Sequence, residues 1–458
     1  MLQVEAIYGR IVPLASSLAH QTQAGKTIAK ILSLALLLTV YPVIYLFMWI
    51  DRRLSWNPFV RFPRTTQEAI ARPQLLFRKI APRILPVDSK FVDFKALGGS
   101  KHEPGKDKAL CRGIYTYLDG VDKTQKSIDI FIKMPTARGH KASFRALMAV
   151  FCVRNKEVDF YETIMPGLGH DLLPVPRGIY AEWNRFFDRS VIVTWTMNTE
   201  RMRSIADWQG VSVCQARRLI TTAARLHAKT WGGNAPCLQW IQERVSTEWL
   251  DGAVHMIAQG PGRKSLIGHE YVMLVWEGIK KRCLRDPVCL SHGDCRPGNM
   301  LYEVGDISVT LTDWEAVSIT PFMWDCCYTI HLGLSVADRR AHERDLIKDY
   351  LACLNSLGVQ DVPRFDEAYR LYKLMAIVIK YFGWILGYIG GVGEKQGNSD
   401  DDMIAWGERL VEGAMDATRD VAWFAKEIGV EVSHIEHQRR DFMAEQKSIE
   451  DLKKKQKK

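Results

Sequence analysis

Cysteine is present but never in the spacings that give it a structural task. The ten cysteines include no C-x-x-C pair, and the adjacent Cys326 and Cys327 stand too close to form an ordinary bridge. That usage excludes a disulfide framework and a cysteine-built zinc site. It fits reduced thiols packed as small apolar side chains. Zinc-finger, basic-zipper and RNA-recognition patterns are also missing, so no nucleic-acid partner is expected. Charge is ordinary: 25% of the 458 residues are charged and 47% are hydrophobic, a profile that suits two lobes each with its own core. The net charge of +10 favours anionic partners. The basic residues concentrate beside an apolar N-terminal stretch and in the C-terminal tail, which points to a membrane surface.

From Ile31 to Ile50 there is no charged side chain. A helix needs about 20 such residues to cross the hydrocarbon core. Asp51-Arg52-Arg53 follows in place of a small-residue cleavage site, so the pattern predicts a retained transmembrane helix over residues 28–50, kinked at Pro42. A buried or interface-lying helix is the alternative. Arg52, Arg53, Arg61, Arg64 and Arg72 outnumber Arg10, Lys26 and Lys30 on the other flank. The positive-inside bias then turns the C-terminal part to the cytoplasm, giving a single-pass membrane protein. Residues 1–27 form an N-terminal segment, 51–88 a basic juxtamembrane linker, and 431–458 a charged tail that frays.

Residues 89–197 read as strands. Phe91 to Leu97 is followed by Gly98-Gly99-Ser100 and a polar loop, then by Ala109 to Leu118. A strand, glycine turn and strand lets backbone N–H groups approach phosphates, although two glycines also make an ordinary hairpin turn. Ser127 to Met134 alternates and carries Lys133, similar to the V-A-I-K strand whose lysine holds nucleotide phosphates; a solvated strand-end lysine is the plain reading. The amphipathic stretch Ser143 to Ile164 offers Glu157 as its ion-pair partner, with Glu162 in competition. Val175 to Trp183 and Arg189 to Met197 complete five strands. Residues 198–430 are mainly helical by period, with Ala216 to Trp231, Phe322 to Leu332, Glu343 to Leu357, Phe365 to Leu386 and Asp401 to Ile428. His227 reads as a buried structural residue.

The stretch Leu290 to Glu315 carries the chemistry. Asp294 and Asn299 stand in D-x-x-x-x-N spacing, and Asp313 follows what reads as a hairpin. Phosphoryl transfer needs one carboxylate to deprotonate an acceptor hydroxyl, and an amide oxygen plus a second carboxylate to hold Mg2+ on the nucleotide phosphates. The pattern is close to H-R-D-x-x-x-x-N, with Gly293 where protein kinases put arginine and Arg296 two residues past the base.

In this order of parts (Lys133, Glu157, His292-Gly-Asp294, Asn299, Asp313-Trp314) the chain resembles the aminoglycoside phosphotransferase and choline kinase superfamily, and within it the ecdysteroid-kinase-like branch. Leu226-His227-Ala228 with Trp231, and Asp325 four residues after Pro321, share the resemblance. It implies an α+β, bilobal protein-kinase-like fold, with residues 89–197 as the N-lobe and 198–430 as the C-lobe. By motif, Asp294 is the base, Asn299 and Asp313 the Mg2+ ligands, and Arg296 a phosphate contact. Lys133, Glu157, Gly98, Gly99 and Ser100 serve ATP, and Asp325 is a structural residue that fixes the helix following Asp313. No A-P-E element follows Asp313, so the acceptor is expected to be a small hydroxylated molecule. An inactive kinase-fold binding module is the first rival. A choline- or ethanolamine-type kinase using Trp231, Trp240, Trp249 and Trp276 is the second.

Overall fold

The computed structural model describes residues 41–51, 60–99, 108–135, 155–184, 187, 189–197, 201–207, 209–233, 235–238, 286–376 and 379, with positions 422, 423, 426, 431 and 433 standing alone. The chain divides into two compact units, Met1–Gly167 with Pro176–Met197 and Leu168–Val175 with Asn198–Lys458.

The first unit is built on a five-stranded antiparallel sheet of order β1-β2-β3-β5-β4. Its strands are β1 (Lys90–Gly99), β2 (Lys108–Leu118), β3 (Gln125–Pro135), β4 (Gly178–Asn184) and β5 (Arg189–Trp195). Alternation decides the faces. In β3, Ile128, Ile130, Ile132 and Met134 are buried, while Lys133 lies on the other face, paired in register with Leu110 and Ile192.

Residues 51–88 are not the linker that their Arg and Pro content suggests. Helices Thr66–Ala71 and Pro73–Ile84 lie here, and Leu76, Phe77 and Ile80 join the same core as Tyr115, Ile130 and Ile132. The Thr65 side chain accepts the Glu68 N–H, and Pro73 opens the second helix with a preset φ. Tyr115 donates to the Pro73 carbonyl oxygen at 3.0 Å, which ties that helix start to β2.

The transmembrane expectation over 28–50 is corrected in the part that is described; residues 28–40 lie outside it. Residues 41–51 are helical, but Ile44 and Met48 are buried and Phe47 packs on Phe187 at 5.6 Å. Asp51 is inserted between two arginines, 2.7 Å from Arg189 and 3.2 Å from Arg64, with its side chain 1% exposed. A helix whose end is a buried ion pair of this unit is a packed element. No helix among the described residues is long and apolar enough to cross a membrane.

The second unit is mainly helical. Helix Val213–Lys229 starts at a reciprocal capping box between Ser212 and Gln215. Helices Trp324–Gly333 and Val336–Ser356 pack with it. Two small sheets carry the loops of interest. One pairs β7 (Val288–Ser291) with β10 (Ser318–Pro321), and the other orders β6 (Met202–Ser204), β8 (Met300–Glu303) and β9 (Val309–Leu311) as β6-β8-β9. The architecture is α+β, with an antiparallel-sheet unit and a mainly helical unit. The helix expected near Asp401 to Ile428 falls outside the described residues, apart from Ala422, Trp423 and Lys426.

Candidate active site

β7 delivers the chain into the loop His292–Gly298, and a single tight turn, Pro297–Asn299, leads into β8. The β8–β9 hairpin then returns the chain beside its start, as its spacing predicted, with Met300 opposite Leu311. Thr312 seals the return. Its N–H and its hydroxyl both donate to the Asn299 carbonyl oxygen, at 3.0 and 2.7 Å. Asp313 is therefore the residue immediately beyond a fixed contact with Asn299. It adopts φ +65° and ψ +68°, a left-handed conformation that Asp tolerates and that carries local strain.

Asp294 is the hub. Its Oδ2 accepts from Asn299 Nδ2 at 2.7 Å and from Arg296 Nε at 3.0 Å. Asn299 Nδ2 also donates to the Asp294 carbonyl oxygen at 3.0 Å, so both bonds hold the amide nitrogen toward Asp294 and leave Oδ1 at the other end. The sequence-derived Asp294, Arg296 and Asn299 are thus brought into one hydrogen-bonded set, with Asp313 joined to it through Thr312.

One residue absent from the sequence reading completes this set. Asp207 accepts from Arg296 Nη1 and, at 2.8 Å, from the Gly298 N–H. Burial works against the Arg296 charge, but Asp294 and Asp207 outweigh it and hold the guanidinium pKa above its ordinary value. Tyr328 faces Asp294; burial first, and that carboxylate second, push its phenol well up, so it stays a protonated donor.

Helix Trp324–Gly333 fixes the loop backbone. Asp325 accepts the His292 N–H at 2.8 Å and the Gly293 N–H at 3.0 Å. Trp324 Nε1 donates to the Gly293 carbonyl oxygen at 3.1 Å, and Thr329 Oγ1 to that of Cys295 at 3.3 Å. His227 reaches Asp325 at 3.1 Å and Tyr350 at 2.7 Å, the buried structural place expected of it. Burial alone would raise the Asp325 pKa, yet His227 and the Gly293 N–H bring it below the ordinary value. His292 donates from Nε2 to Thr312 O at 2.8 Å, and the buried Trp314 ring lies 4.5 Å from the His292 ring, so the Asp-Trp-Glu aromatic packs on the loop.

Gly293 explains its own departure from arginine. Its φ is +87°, and a Cβ there would stand 2.2 Å from the Ala316 carbonyl oxygen.

In the first unit, Lys133 Nζ lies 2.6 Å from both carboxylate oxygens of Glu157, the side chains being 15% and 4% exposed. The competing Glu162 is otherwise engaged, accepting from Arg83 at 2.7 Å and from the Ala181 N–H at 2.6 Å. Asn155 caps the short helix Lys156–Asp159 that presents Glu157. Gly98 and Gly99 are not in a turn. They extend β1, paired with Arg112 and Cys111 after a bulge past Ala96, where glycine relieves the irregularity. Ser100 and the loop after it lie outside the described residues, as do Trp240, Trp249 and Trp276. Trp231 packs edge-on against Phe322 at 5.4 Å.

The residues fit a magnesium ion by their chemistry. An amide oxygen pinned by its own nitrogen and a carboxylate on a strained backbone are hard oxygen donors, which suit Mg2+ better than softer metals.

A model of the ecdysteroid kinase-like family matches residues 275–359. No curated protein matches the chain in sequence. Among solved structures, a choline/ethanolamine kinase family protein from Mesorhizobium loti is 15% identical with a TM-score of 0.44, over 80% of this chain and 98% of that one. A Plasmodium vivax ethanolamine kinase is 14% identical with a TM-score of 0.42, over 70% of this chain and 82% of that one. The GDP complex of aminoglycoside 2'-phosphotransferase-IIIa is 14% identical with a TM-score of 0.40, over 74% and 98%. The segment that the ecdysteroid kinase-like model matches is the one that holds Asp294, Asn299, Asp313 and Asp325.

Proposed function

We propose that this chain is an ATP- and Mg2+-dependent kinase that transfers the γ-phosphoryl group to the hydroxyl of a small molecule. The observation that carries the reading is the locked Asn299. With Nδ2 bound to Asp294, its Oδ1 is oriented as an acceptor beside the strand return that ends in Asp313. Asn299 and Asp313 would hold Mg2+, which when bound neutralises phosphate charge. Asp294 takes the acceptor proton, and its bonds to Arg296 and Asn299 fix the carboxylate for that task. Arg296, braced on two carboxylates, offers its remaining donors to the transferred group. Lys133, held by Glu157, contacts the nucleotide phosphates. Asp294→Ala is expected to bind ATP with unchanged affinity in calorimetry and to give no phosphorylated product from a hydroxyl-metabolite library with labelled ATP. Substantial transfer by that variant sinks the assignment.

The same protein is proposed to work at the cytoplasmic surface of a membrane. Support comes from the outer face of residues 41–51, where Val43, Leu46 and Trp49 are 42%, 53% and 42% exposed, next to Arg52 and Arg53. Co-sedimentation with vesicles containing acidic lipid should be lost in Leu46→Glu/Trp49→Glu; equal sedimentation of that variant and the parent refutes it.

A further inference from the structure

Two histidines stand in the shell that anchors the Asp294 loop, and their partners hydrogen-bond them in different ways. Tyr350 is the key. Its hydroxyl lies 2.9 Å from the Phe322 carbonyl oxygen, which can only accept, so the single phenolic proton points there. The same oxygen is 2.7 Å from His227 Nδ1 and must therefore accept from Nδ1–H. On the other side of the ring, Nε2 is 3.1 Å from Asp325 Oδ2.

A proton between these two groups has a definite home. An aspartic acid releases its proton about 2.6 pH units below an imidazole. The His292 and Gly293 N–H groups both point at Asp325, as does the Cys295 thiol, and all favour its ionised form. Nε2 consequently carries hydrogen too, and a ring with two donors is an imidazolium.

His292 is the reverse case. Its Nδ1 accepts the Asp294 N–H at 3.3 Å while Nε2 donates to Thr312 O, which is the neutral Nε2–H tautomer.

We infer that His227 is a standing cation, a positioning residue whose charge keeps the buried Asp325 ionised and so holds the His292 and Gly293 N–H groups, and through them Asp294, in place. The titratable groups that face it are Asp325 from helix Trp324–Gly333, Tyr350 from helix Val336–Ser356 and the Cys289 thiol from β7. Burial lowers the His227 proton affinity, yet Cys289 and Asp325 carry its pKa up to about 10. The pair is completely buried, so neither member has water to compensate it.

Nitrogen-15 NMR of the full chain labelled at histidine tests this without any substrate. Its His227 signal is identified by its absence in His227→Gln. Between pH 6 and 9, both His227 ring nitrogens should keep the protonated signature. A His227 that is neutral, or that titrates in that window, overturns the inference. Tyr350→Phe, which removes the Nδ1 acceptor, should bring His227 titration down toward that window. An unmoved titration in the folded variant overturns it also. The kinetic arm rests on the proposed kinase activity. There His227→Gln should lower phosphoryl transfer about tenfold or more at unchanged ATP affinity, as expected when a base is displaced. Full transfer by that variant sinks the positioning role, whereas no transfer by the parent protein refutes the proposed function and leaves the charge assignment to the NMR.

Discussion

Replacing Gly293 by alanine asks how tightly the Asp294 loop is held. The residue sits at φ +87°, and an added Cβ would lie 2.2 Å from the Ala316 carbonyl oxygen, 2.9 Å from its carbon and 3.1 Å from its Cβ. An L side chain in the left-handed region costs about 1–2 kcal/mol. Ordinary contact begins at about 3.5 Å, so something must also retreat by about 1 Å. Neither side is free to do so. The Gly293 N–H is bonded to Asp325 and its carbonyl oxygen to Trp324, while the Ala316 oxygen accepts from Ser318 Oγ at 3.0 Å at the start of β10. Overpacking of this kind adds about 1–3 kcal/mol. The expected loss is therefore about 2–5 kcal/mol, read as a lower urea midpoint at unchanged slope. A shift of that size passes to the next residue, Asp294, and a misplacement of about 1 Å costs up to about 100-fold in transfer. An alanine variant within about 0.5 kcal/mol of the parent, the range of an ordinary surface change, would show that the loop and Ala316 are not in contact.

Two further outcomes need no substrate. Asp51→Asn removes the carboxylate between Arg189 and Arg64 and takes one buried ion pair from the Arg189 side chain, which is 4% exposed; breaking such a buried pair costs about 3–5 kcal/mol, again by urea unfolding, and a neutral result would mean that residues 41–51 are not part of the first unit. The His227 pKa rises on folding from its ordinary value of 6.5 to about 10, so its contribution is complete below about pH 6.5 and disappears as pH rises through about 10; Asp325, lowered on folding, contributes above its unfolded pKa and loses that contribution in acid. Urea midpoints measured from pH 6 to 10.5 should fall in the parent more steeply than in His227→Gln.

What the sequence made legible is local in its physics. Five strands announced themselves because half-buried strands must alternate, and β3 alternates along nearly its whole length. The D-x-x-x-x-N spacing and the later Asp313 were readable because a tight turn and a hairpin leave little freedom in where the chain returns. Composition misled at residues 51–88, where Arg and Pro look like a linker. Yet Pro73 occupies the one helical position that tolerates it, and Leu76, Phe77 and Ile80 share a face. The choice between Glu157 and Glu162 could not be read at all. It turns on Arg83, which is 79 residues from Glu162 in sequence.

The same limit hides the residues that position the Asp294 loop. Asp207 reaches Gly298 across 91 residues and Tyr350 reaches His227 across 123, so neither leaves a pattern in any window of sequence. Charge balance nevertheless links them to something that was visible. With glycine in place of arginine at 293, the loop brings no cation of its own to that position, while Asp325 beneath it is fully buried and ionised. A buried carboxylate bonded only to neutral N–H groups remains a costly charge. His227, on a different helix and with both ring nitrogens donating, supplies the missing positive charge from below the loop. The glycine that admits Ala316 and the histidine that neutralises Asp325 are then two halves of one solution. Changing Gly293 strains the loop from above, and changing His227 loosens it from beneath. Because both act on the same backbone N–H groups of His292 and Gly293, the stability losses of the two variants should not add when combined.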